Sequence, residues 1–165
     1  MESFEVRRAC RADGPAMAHL HDRSRIAELA ASIGAHHAGR LPSFAGLADR
    51  FDGELWVAVK EGEIVGFVGA RGGEIVWLYV DPAHFRRGIG TLLLRHALSL
   101  SGVVVHARVL HGNAPALALY RAEGFVMVET TTLTLPGLHE PAAAHLLRRL
   151  QPLPLARGAS AAAHI

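Results

Sequence analysis

Apolar and polar residues follow distinct patterns along this chain. Over residues 4–8 apolar and charged side chains alternate, which predicts a first β-strand. A helix is then predicted from Asp13, a candidate N-cap, to about Ile33. Its expected buried stripe consists of Ala16, Leu20, Ile26, Leu29 and Ala30. Residues 35–43 have no clear period and predict a loop, and residues 44–51 predict a short second helix.

Three strand-like runs make up the middle of the chain. They cover residues 55–60, residues 64–70 and Glu74–Val80, and the last run is rich in β-branched and aromatic side chains. The two-residue turn signals Glu61-Gly62 and Gly72-Gly73 separate the runs. This spacing predicts an antiparallel meander.

Helical and strand patterns alternate in the second half. Helices are predicted at residues 90–99 and from Asn113, with Pro115 just inside the helix, to Gly124. Strands are predicted at residues 103–110, 125–129 and 141–150, and the last has mixed propensity, with a helix as the alternative. The whole predicts one α+β domain over residues 1–150 and a flexible tail over residues 151–165.

Composition limits the classes of protein to be considered. Half of the 165 residues are hydrophobic and 19% are charged, as in an ordinary globular domain. We find neither a run long enough to span a bilayer nor a signal-peptide pattern, and the lone Cys10 suits a reducing compartment, so we expect a cytoplasmic protein without a membrane partner. The net charge is +2 and no basic run occurs, so we expect no nucleic-acid partner. The histidine pairs lack metal-site spacing, so we expect no metal.

A glycine-bearing loop, DPAHFRRGIGT at residues 81–91, joins the third strand of the meander to a helix. The free N–H groups and the dipole of a helix start favour a phosphate or pyrophosphate. Gly88 and Gly90 leave the backbone open to such a ligand, and Arg86 and Arg87 add positive charge. The alternative is a glycine turn before a core helix.

Three types of phosphate loop compete for this segment. A Walker A loop needs Gly-Lys-Ser/Thr, and the segment has no lysine. A dinucleotide fingerprint needs a third glycine at the position of Leu93. The remaining pattern, Arg/Gln-x-x-Gly-x-Gly/Ala after a strand, is typical of a coenzyme A pyrophosphate loop.

A second motif, NAPALALYRAEGF, occupies residues 113–125. Asn113 can cap the helix and present its amide to a ligand, and Tyr120 lies two turns later on nearly the same face. A phenol at this place can donate a proton to a leaving thiolate. The alternative for Tyr120 is a core residue whose hydroxyl finds a partner.

The motifs are specific when they occur together in one order along the chain. That order is hairpin strands, LYVDP, RRGIG, a further strand and NxxAxxxYxxxGF. With these motifs, over about residues 55–125, the chain resembles the GNAT superfamily (Gcn5-related N-acetyltransferases). The resemblance implies a three-layer α/β/α fold on a mixed, mainly antiparallel sheet of six to seven strands. It also implies that Glu74–Val80 splays from residues 103–110 and that acetyl-CoA, the acyl donor, lies in the V-shaped gap.

The resemblance also assigns residues to the cofactor. Backbone groups of Leu78 and Val80, with Tyr79 between them, are expected to hold the pantetheine and thioester. Asn113 and Ala116 are expected at the cofactor arm. The pyrophosphate is expected at the loop residues Phe85, Arg86, Arg87, Gly88, Ile89, Gly90 and Thr91.

Phe85 departs from the family pattern, because Gln or Arg usually stands three residues before the first glycine. Arg86 or Arg87 is expected to supply the missing charge. The family mechanism implies direct transfer to an amine in a ternary complex, with a backbone N–H near Val80 at the carbonyl oxygen and Tyr120 as the acid.

The incoming amine needs a base. Glu74, which opens the strand beside the gap, is the first choice, and His111 and His106 are the alternatives. The acceptor pocket is expected at residues 36–44 and 131–140, which carry His36, His37, Arg40, Phe44, His139 and Glu140. The acceptor is expected to be a peptide or small-molecule amine, and the few carboxylates in these segments disfavour polyamines and aminoglycosides.

Two other classes of function stay open. One is a non-catalytic acetyl-CoA sensor on the same fold, which Phe85 favours and which Asn113 and Tyr120 disfavour. The other is a nucleic-acid-binding protein, suggested by a pI near 9.2 and opposed by the small net charge. A homodimer through the last strands is expected from the family resemblance.

Overall fold

The computed structural model describes residues 3–32, 44, 48–135 and 138–152. Within them, seven strands form one sheet in the order β1-β2-β3-β4-β5-β7-β6. The strands are β1 (Glu5–Arg8), β2 (Glu54–Lys60), β3 (Glu63–Arg71), β4 (Glu74–Val80), β5 (Val104–Leu110), β6 (Val126–Leu133) and β7 (Ala142–Leu150). The helices with described bounds are α1 (Gly14–Ser32), α2 (Ile89–Leu100) and α3 (Ala114–Ala122).

Strands β2, β3 and β4 form the predicted antiparallel meander. In the first connection Glu61 and Gly62 have φ values of 50° and 84°, and in the second Gly72 and Gly73 have 55° and 80°. Two successive positive φ values match the two-residue turn that suits the twist of a hairpin. Strand β1 extends the meander by pairing antiparallel with β2.

The parallel neighbours β4 and β5 pair only near their starts. The registered pairs are Glu74 with His106 and Ile75 with Ala107. A register shift against β3 leaves Val76 unmatched, and such a bulge bends a strand and increases its twist. Strand β4 therefore leaves β5 where the bulge begins. On its other side β5 pairs with β7 along its whole length. The predicted splay is confirmed.

Helices cover both faces of the sheet, as the α/β/α prediction requires. On one face α2 buries Leu93 and Leu94 with Val68 of β3. On the opposite face α1 buries Leu20 with Phe67 of β3. Phe67 and Val68 are successive residues of one strand, so their side chains point to different faces. The sheet thus separates two apolar clusters.

The predicted stripe of α1 is wrong at three positions. Leu20 and Leu29 are buried as expected, but Ile26 is 54% exposed and Ala16 and Ala30 are also exposed. The buried positions of the helix are Met17, Ala18, Leu20, His21, Ser24 and Leu29. The apolar pattern misled because polar residues occupy part of the inner face. Ser24 Oγ, for example, donates a hydrogen bond of 2.9 Å to the carbonyl oxygen of Val80.

The elements predicted for the second half are confirmed with small shifts in their bounds. The segment of mixed propensity is strand β7, and β6 continues to Leu133 because it pairs with β7. The predicted loop at residues 35–43, residues 45–47 of the helix predicted at residues 44–51 and the tail from residue 153 lie outside the described residues. Among the described helices, none is both long and apolar enough to cross a membrane.

Leu92 and Leu93 are neighbours on α2 with opposite environments. Leu93 is fully buried, whereas Leu92 is 38% exposed. We expect Leu93→Ala to lower the free energy of unfolding by about 2–5 kcal/mol, because it removes apolar contacts and leaves a cavity. The matched Leu92→Ala should cost less than about 1 kcal/mol. Urea unfolding measures both changes, and equal losses would contradict this assignment of the buried face.

Candidate functional site

The gap between β4 and β5 opens into a cavity of about 540 Å³. Helix α1 lines it from one face of the sheet, and α2, α3 and the loop after β4 line it from the other. Most of the predicted site residues line this cavity: Leu78, Tyr79, Val80, Phe85, Arg86, Gly88, Ile89, Gly90, Thr91, Asn113, Ala116 and Tyr120. Arg87 and Glu74 are not among the lining residues.

The backbone of β4 faces the gap at two of the predicted positions. The N–H of Asp81 donates to Val65 of β3, at 2.9 Å, and therefore points away from the gap. Successive peptide groups along a strand point to opposite edges, so the N–H groups of Leu78 and Val80 face β5. Strand β5 has already diverged at this level. These groups can therefore bind a ligand in the gap.

The loop after β4 is held in shape by its own contacts. Asp81 accepts hydrogen bonds of 2.9 Å from the N–H of Ala83 and from the guanidinium of Arg23 on α1. Arg86 and Gly88 have positive φ values of 61° and 80°. Backbone that alternates between left- and right-handed conformations turns its N–H groups toward one concavity, which suits an anion. This concavity lies at the start of α2, whose first N–H groups lack partners within the helix.

Glycine is favoured at the two loop positions, 88 and 90, for different reasons. A Cβ atom on Gly88 would meet nothing within 4 Å, so its positive φ is what favours glycine. A Cβ atom on Gly90 would lie 3.1 Å from Cδ2 of Leu119 on α3. Gly90 therefore sets the close approach of α2 to α3, a role that the sequence did not reveal. Phe85 is 50% exposed at the cavity.

Helix α3 presents Asn113 and Tyr120 to the cavity. The side-chain oxygen of Asn113 accepts a hydrogen bond of 3.3 Å from the N–H of Ala116, which confirms the predicted N-cap. Tyr120 is 5% exposed and packs edge-on against Phe125, with ring centroids 5.0 Å apart. Burial raises the pKa of Tyr120, and the neighbouring Tyr79 and Glu28 raise it further. Tyr120 is thus a protonated phenol at neutral pH.

Three polar residues on the α1 side form a cluster that the sequence did not reveal. The guanidinium of Arg25 donates to the hydroxyl of Tyr79 at 2.8 Å and to Oε2 of Glu28 at 3.2 Å. The Tyr79 hydroxyl in turn donates to Oε2 of Glu28 at 3.2 Å. Burial raises the pKa of Tyr79, and the charge of Glu28 adds to this shift. Glu28 and Tyr79 both line the cavity.

A family model described as an acetyltransferase (GNAT) domain matches residues 51–127 of the chain. Over these residues the chain is similar to the GNAT superfamily. The matched segment contains the meander, the loop at the start of α2, and α3. The family resemblance on the sequence motifs is confirmed.

Two curated relatives match shorter segments. N-alpha-acetyltransferase RimI of Mycobacterium tuberculosis is 48% identical over 56 residues, or 33% of this chain and 35% of that protein. Peptidyl-lysine N-acetyltransferase YjaB of Salmonella typhimurium is 38% identical over 72 residues, which are 43% of this chain and 49% of that protein. The matches thus span about half or less of those relatives. A solved GCN5-related N-acetyltransferase from Rhodopseudomonas palustris shares the fold, with a TM-score of 0.78 at 19% identity over 92% of this chain and 98% of that one.

None of the three bases considered, Glu74, His106 and His111, is among the residues that line the cavity, although Glu74 contacts Arg108, which does line it. Glu74 forms an ion pair with Arg108, at the end where β4 and β5 still pair. His106 is the register partner of Glu74. Nδ1 of His111 lies 3.1 Å from Nε2 of His145, and Nδ1 of His145 lies 2.8 Å from Oγ1 of Thr130. A catalytic role for Glu74 stays a prediction. Among the described residues that line the cavity, Glu28 is the one carboxylate.

The segments expected to form the acceptor pocket are only partly described. His36, His37 and Arg40 lie outside the described residues. Phe44 is fully buried in an aromatic cluster, with ring centroids 4.9 Å from Phe67 and 4.8 Å from Trp77, and does not line the cavity. His139 and Glu140 are exposed and also do not line it. In the described ranges, no three His, Cys, Asp or Glu side chains are grouped so as to hold a metal ion.

The two tyrosines of the chain provide a test of burial at this site. Burial raises the pKa of both Tyr79 and Tyr120. We expect ultraviolet titration of the native protein to show no phenolate near pH 10, the ordinary phenol value, whereas both tyrosines titrate there in urea. The unfolded chain then loses these protons first, so the free energy of unfolding should fall as pH rises above about 10. A native tyrosine that titrates normally would contradict the described burial.

Proposed function

We propose that this chain is an acetyl-CoA-dependent N-acetyltransferase, which transfers the acetyl group directly to a primary amine in a ternary complex. The observation that carries the proposal is the cavity through the β4–β5 gap. On one face of the sheet the cavity is lined by Tyr120 and by the loop after β4, whose N–H groups suit an anion. On the other face it is lined by Glu28 and Tyr79. A donor and an acceptor can therefore reach one point from opposite sides.

The residues along the cavity fit the parts of acetyl-CoA. The pyrophosphate is placed at the N–H groups of residues 86–91, beside the start of α2. Arg86 adds positive charge there in the place of the usual residue at Phe85. The N–H groups of Leu78 and Val80 are placed along the pantetheine and the thioester. Asn113 and Ala116 flank the arm.

The residues of the chain need to supply two things, stabilisation of the carbonyl oxygen and a proton for the leaving thiolate. Acetyl-CoA, when bound, supplies the activated acyl group. The N–H of Val80 stabilises the carbonyl oxygen as it gains negative charge. Ser24 donates to the carbonyl of Val80, which belongs to the next peptide group and helps to hold this end of β4. Tyr120, kept protonated by its raised pKa, donates a proton to the departing thiolate.

Relatives point to the class of acceptor. RimI is named as an enzyme for α-amino groups and YjaB as one for peptidyl lysine. We therefore propose the amine of a peptide or protein as the acceptor, with small-molecule amines as the alternative. We also propose a cytoplasmic protein without nucleic-acid partners. A homodimer through the last strands is supported by edge strand β6, where Val126, Met127 and Val128 are 59%, 41% and 45% exposed.

A non-catalytic acetyl-CoA sensor on the GNAT fold is the second candidate. The observation in its favour is Phe85, an apolar and half-exposed ring at a position where the family usually has a polar side chain. A sensor would be stabilised against heat by acetyl-CoA but would release no CoA in the presence of amines. Turnover of any amine excludes this candidate.

The first experiment is isothermal titration of acetyl-CoA into the purified protein, with Gly88→Glu as the test variant. A carboxylate at this position repels the pyrophosphate, so we expect the dissociation constant to rise at least about tenfold, or about 1.4 kcal/mol. Gly72→Glu is the matched control. Gly72 also has a positive φ, of 55°, and open space around it, but it lies in the β3–β4 turn. No binding by the parent, or equal losses in both variants, would contradict the proposal.

The role of Tyr120 is tested with Tyr120→Phe, which keeps the ring and removes the hydroxyl. We expect kcat to fall about 10²-fold, because the thiolate then leaves without a proton donor. The dissociation constant for acetyl-CoA should change little. A variant with the parent kcat would show that Tyr120 serves only packing.

A further inference from the structure

The cluster of Arg25, Glu28 and Tyr79 carries an inference beyond the proposed reaction. Arg25 and Glu28 lie one turn apart on α1, and Tyr79 lies on β4 directly opposite them. The side chains of Arg25 and Glu28 are 20% and 16% exposed. A charged pair at this depth is costly to desolvate unless hydrogen bonds compensate. Here the three side chains satisfy one another, which fixes the position of the carboxylate.

The carboxylate of Glu28 remains accessible from the cavity. Both hydrogen bonds that the described residues donate to it go to Oε2. Its neighbours in the α1 wall are the small residues Ser24, Ala27 and Ala31. Small side chains leave room beside the carboxylate on the cavity side. A ligand in the cavity can therefore reach this group without disturbing Arg25.

Glu28 and Tyr120 line the same cavity. The two residues belong to opposite faces of the sheet and line one cavity. They are near enough that the charge of Glu28 contributes to the raised pKa of Tyr120. An acyl transfer needs a proton donor at the leaving group and a proton acceptor at the nucleophile, on opposite sides of the reacting carbon. The places of Tyr120 and Glu28 on opposite faces of the sheet, in one cavity, suit these two roles.

We propose that Glu28, held by Arg25 and Tyr79, binds the ammonium group of the acceptor and receives its proton. This proposal rests on the proposed function. It assigns the acceptor to the α1 face and gives Glu28 the role that the sequence suggested for Glu74. Arg25 and Tyr79 are positioning residues, because they act through Glu28.

The protons balance in this scheme. The acceptor ammonium gives one proton to Glu28, which passes it to solvent. The neutral amine forms the C–N bond with the acyl carbon, and the C–S bond breaks. The thiolate takes the proton of Tyr120. The second proton lost by the nitrogen returns to Tyr120 through water, and the third stays on the amide. One proton is released in each turnover.

The test compares the parent with Glu28→Gln on two acceptor peptides. One peptide has a free α-amino end and no lysine, and the other has a blocked end and a single lysine. We expect kcat/KM for the preferred peptide to fall about 10²-fold at neutral pH. The loss should shrink as pH approaches the pKa of the amine itself, about 10.4 for lysine, because solvent then supplies the neutral amine. A merely structural role would not produce this pH dependence.

Three further variants complete the test. Glu74→Gln tests the alternative base that the sequence suggested. The proposal requires this variant to lose much less activity than Glu28→Gln. Glu129→Gln is the matched control, an exposed carboxylate on β6, and should stay within about twofold of the parent. Glu28→Asp, which keeps the charge, should recover part of the loss. If Glu28→Gln fails to fold, Tyr79→Phe tests the proposal instead. This variant loses the hydrogen bond from the Tyr79 hydroxyl to Glu28, so kcat/KM should fall several-fold.

The outcomes separate the two proposals. Titration of acetyl-CoA into Glu28→Gln should give the parent dissociation constant within about twofold, since the change lies on the acceptor side. A parent that acetylates the peptides while Glu28→Gln or Tyr79→Phe keeps the parent kcat/KM and pH profile overturns the role of Glu28 alone. A parent that acetylates neither peptide overturns this proposal together with the peptide acceptor.

Discussion

The early end of the pairing between β4 and β5 is the constraint on which the site depends. The bulge at Val76 bends β4 away just after its second registered pair with β5. Gly69 opposite the bulge permits this, because a Cβ atom there would lie 2.8 Å from the side chain of Trp77. Backbone groups of Leu78 and Val80 are left facing the gap. A ligand that lies along the gap can hydrogen-bond to the N–H groups of these two residues.

The walls of the gap are held by separate parts of the core. Strand β5 is fixed by its ladder to β7, and β4 by its ladder to β3. The C-terminal end of β4 is also bonded to α1. Ser24 donates a hydrogen bond to the Val80 carbonyl, and Arg23 donates one to the Asp81 carboxylate. On the other face, Gly90 lets α2 approach α3 closely. Each wall can therefore keep its place without contact across the gap.

Two tyrosines at this gap have the same intrinsic chemistry and different environments. Burial raises the pKa of both. The hydroxyl of Tyr79 is engaged by Arg25 and Glu28, which suits it to positioning a carboxylate. Tyr120 lies on α3 on the opposite face, which suits it to proton donation. The different roles proposed for them follow from their surroundings and not from the residue type.

Features that depend on a few neighbouring residues could be read from the sequence alone. The hairpin turns, the cap at Asn113 and the glycine loop before α2 rest on local backbone geometry, and the structure contains them. The combination of motifs was also sufficient to indicate the GNAT family. These features need no knowledge of which strands become neighbours.

The buried face of α1 and the cavity carboxylate were decided by tertiary structure. Ser24 lies on the inner face because it meets Val80, and Glu28 lies at the cavity because it meets Tyr79, 51 residues away in the chain. Glu74 is drawn to Arg108, 34 residues away. Such contacts depend on the order of strands and on where β4 and β5 diverge. A pattern of apolar and polar positions records that a residue is polar, but not which distant partner makes its burial favourable.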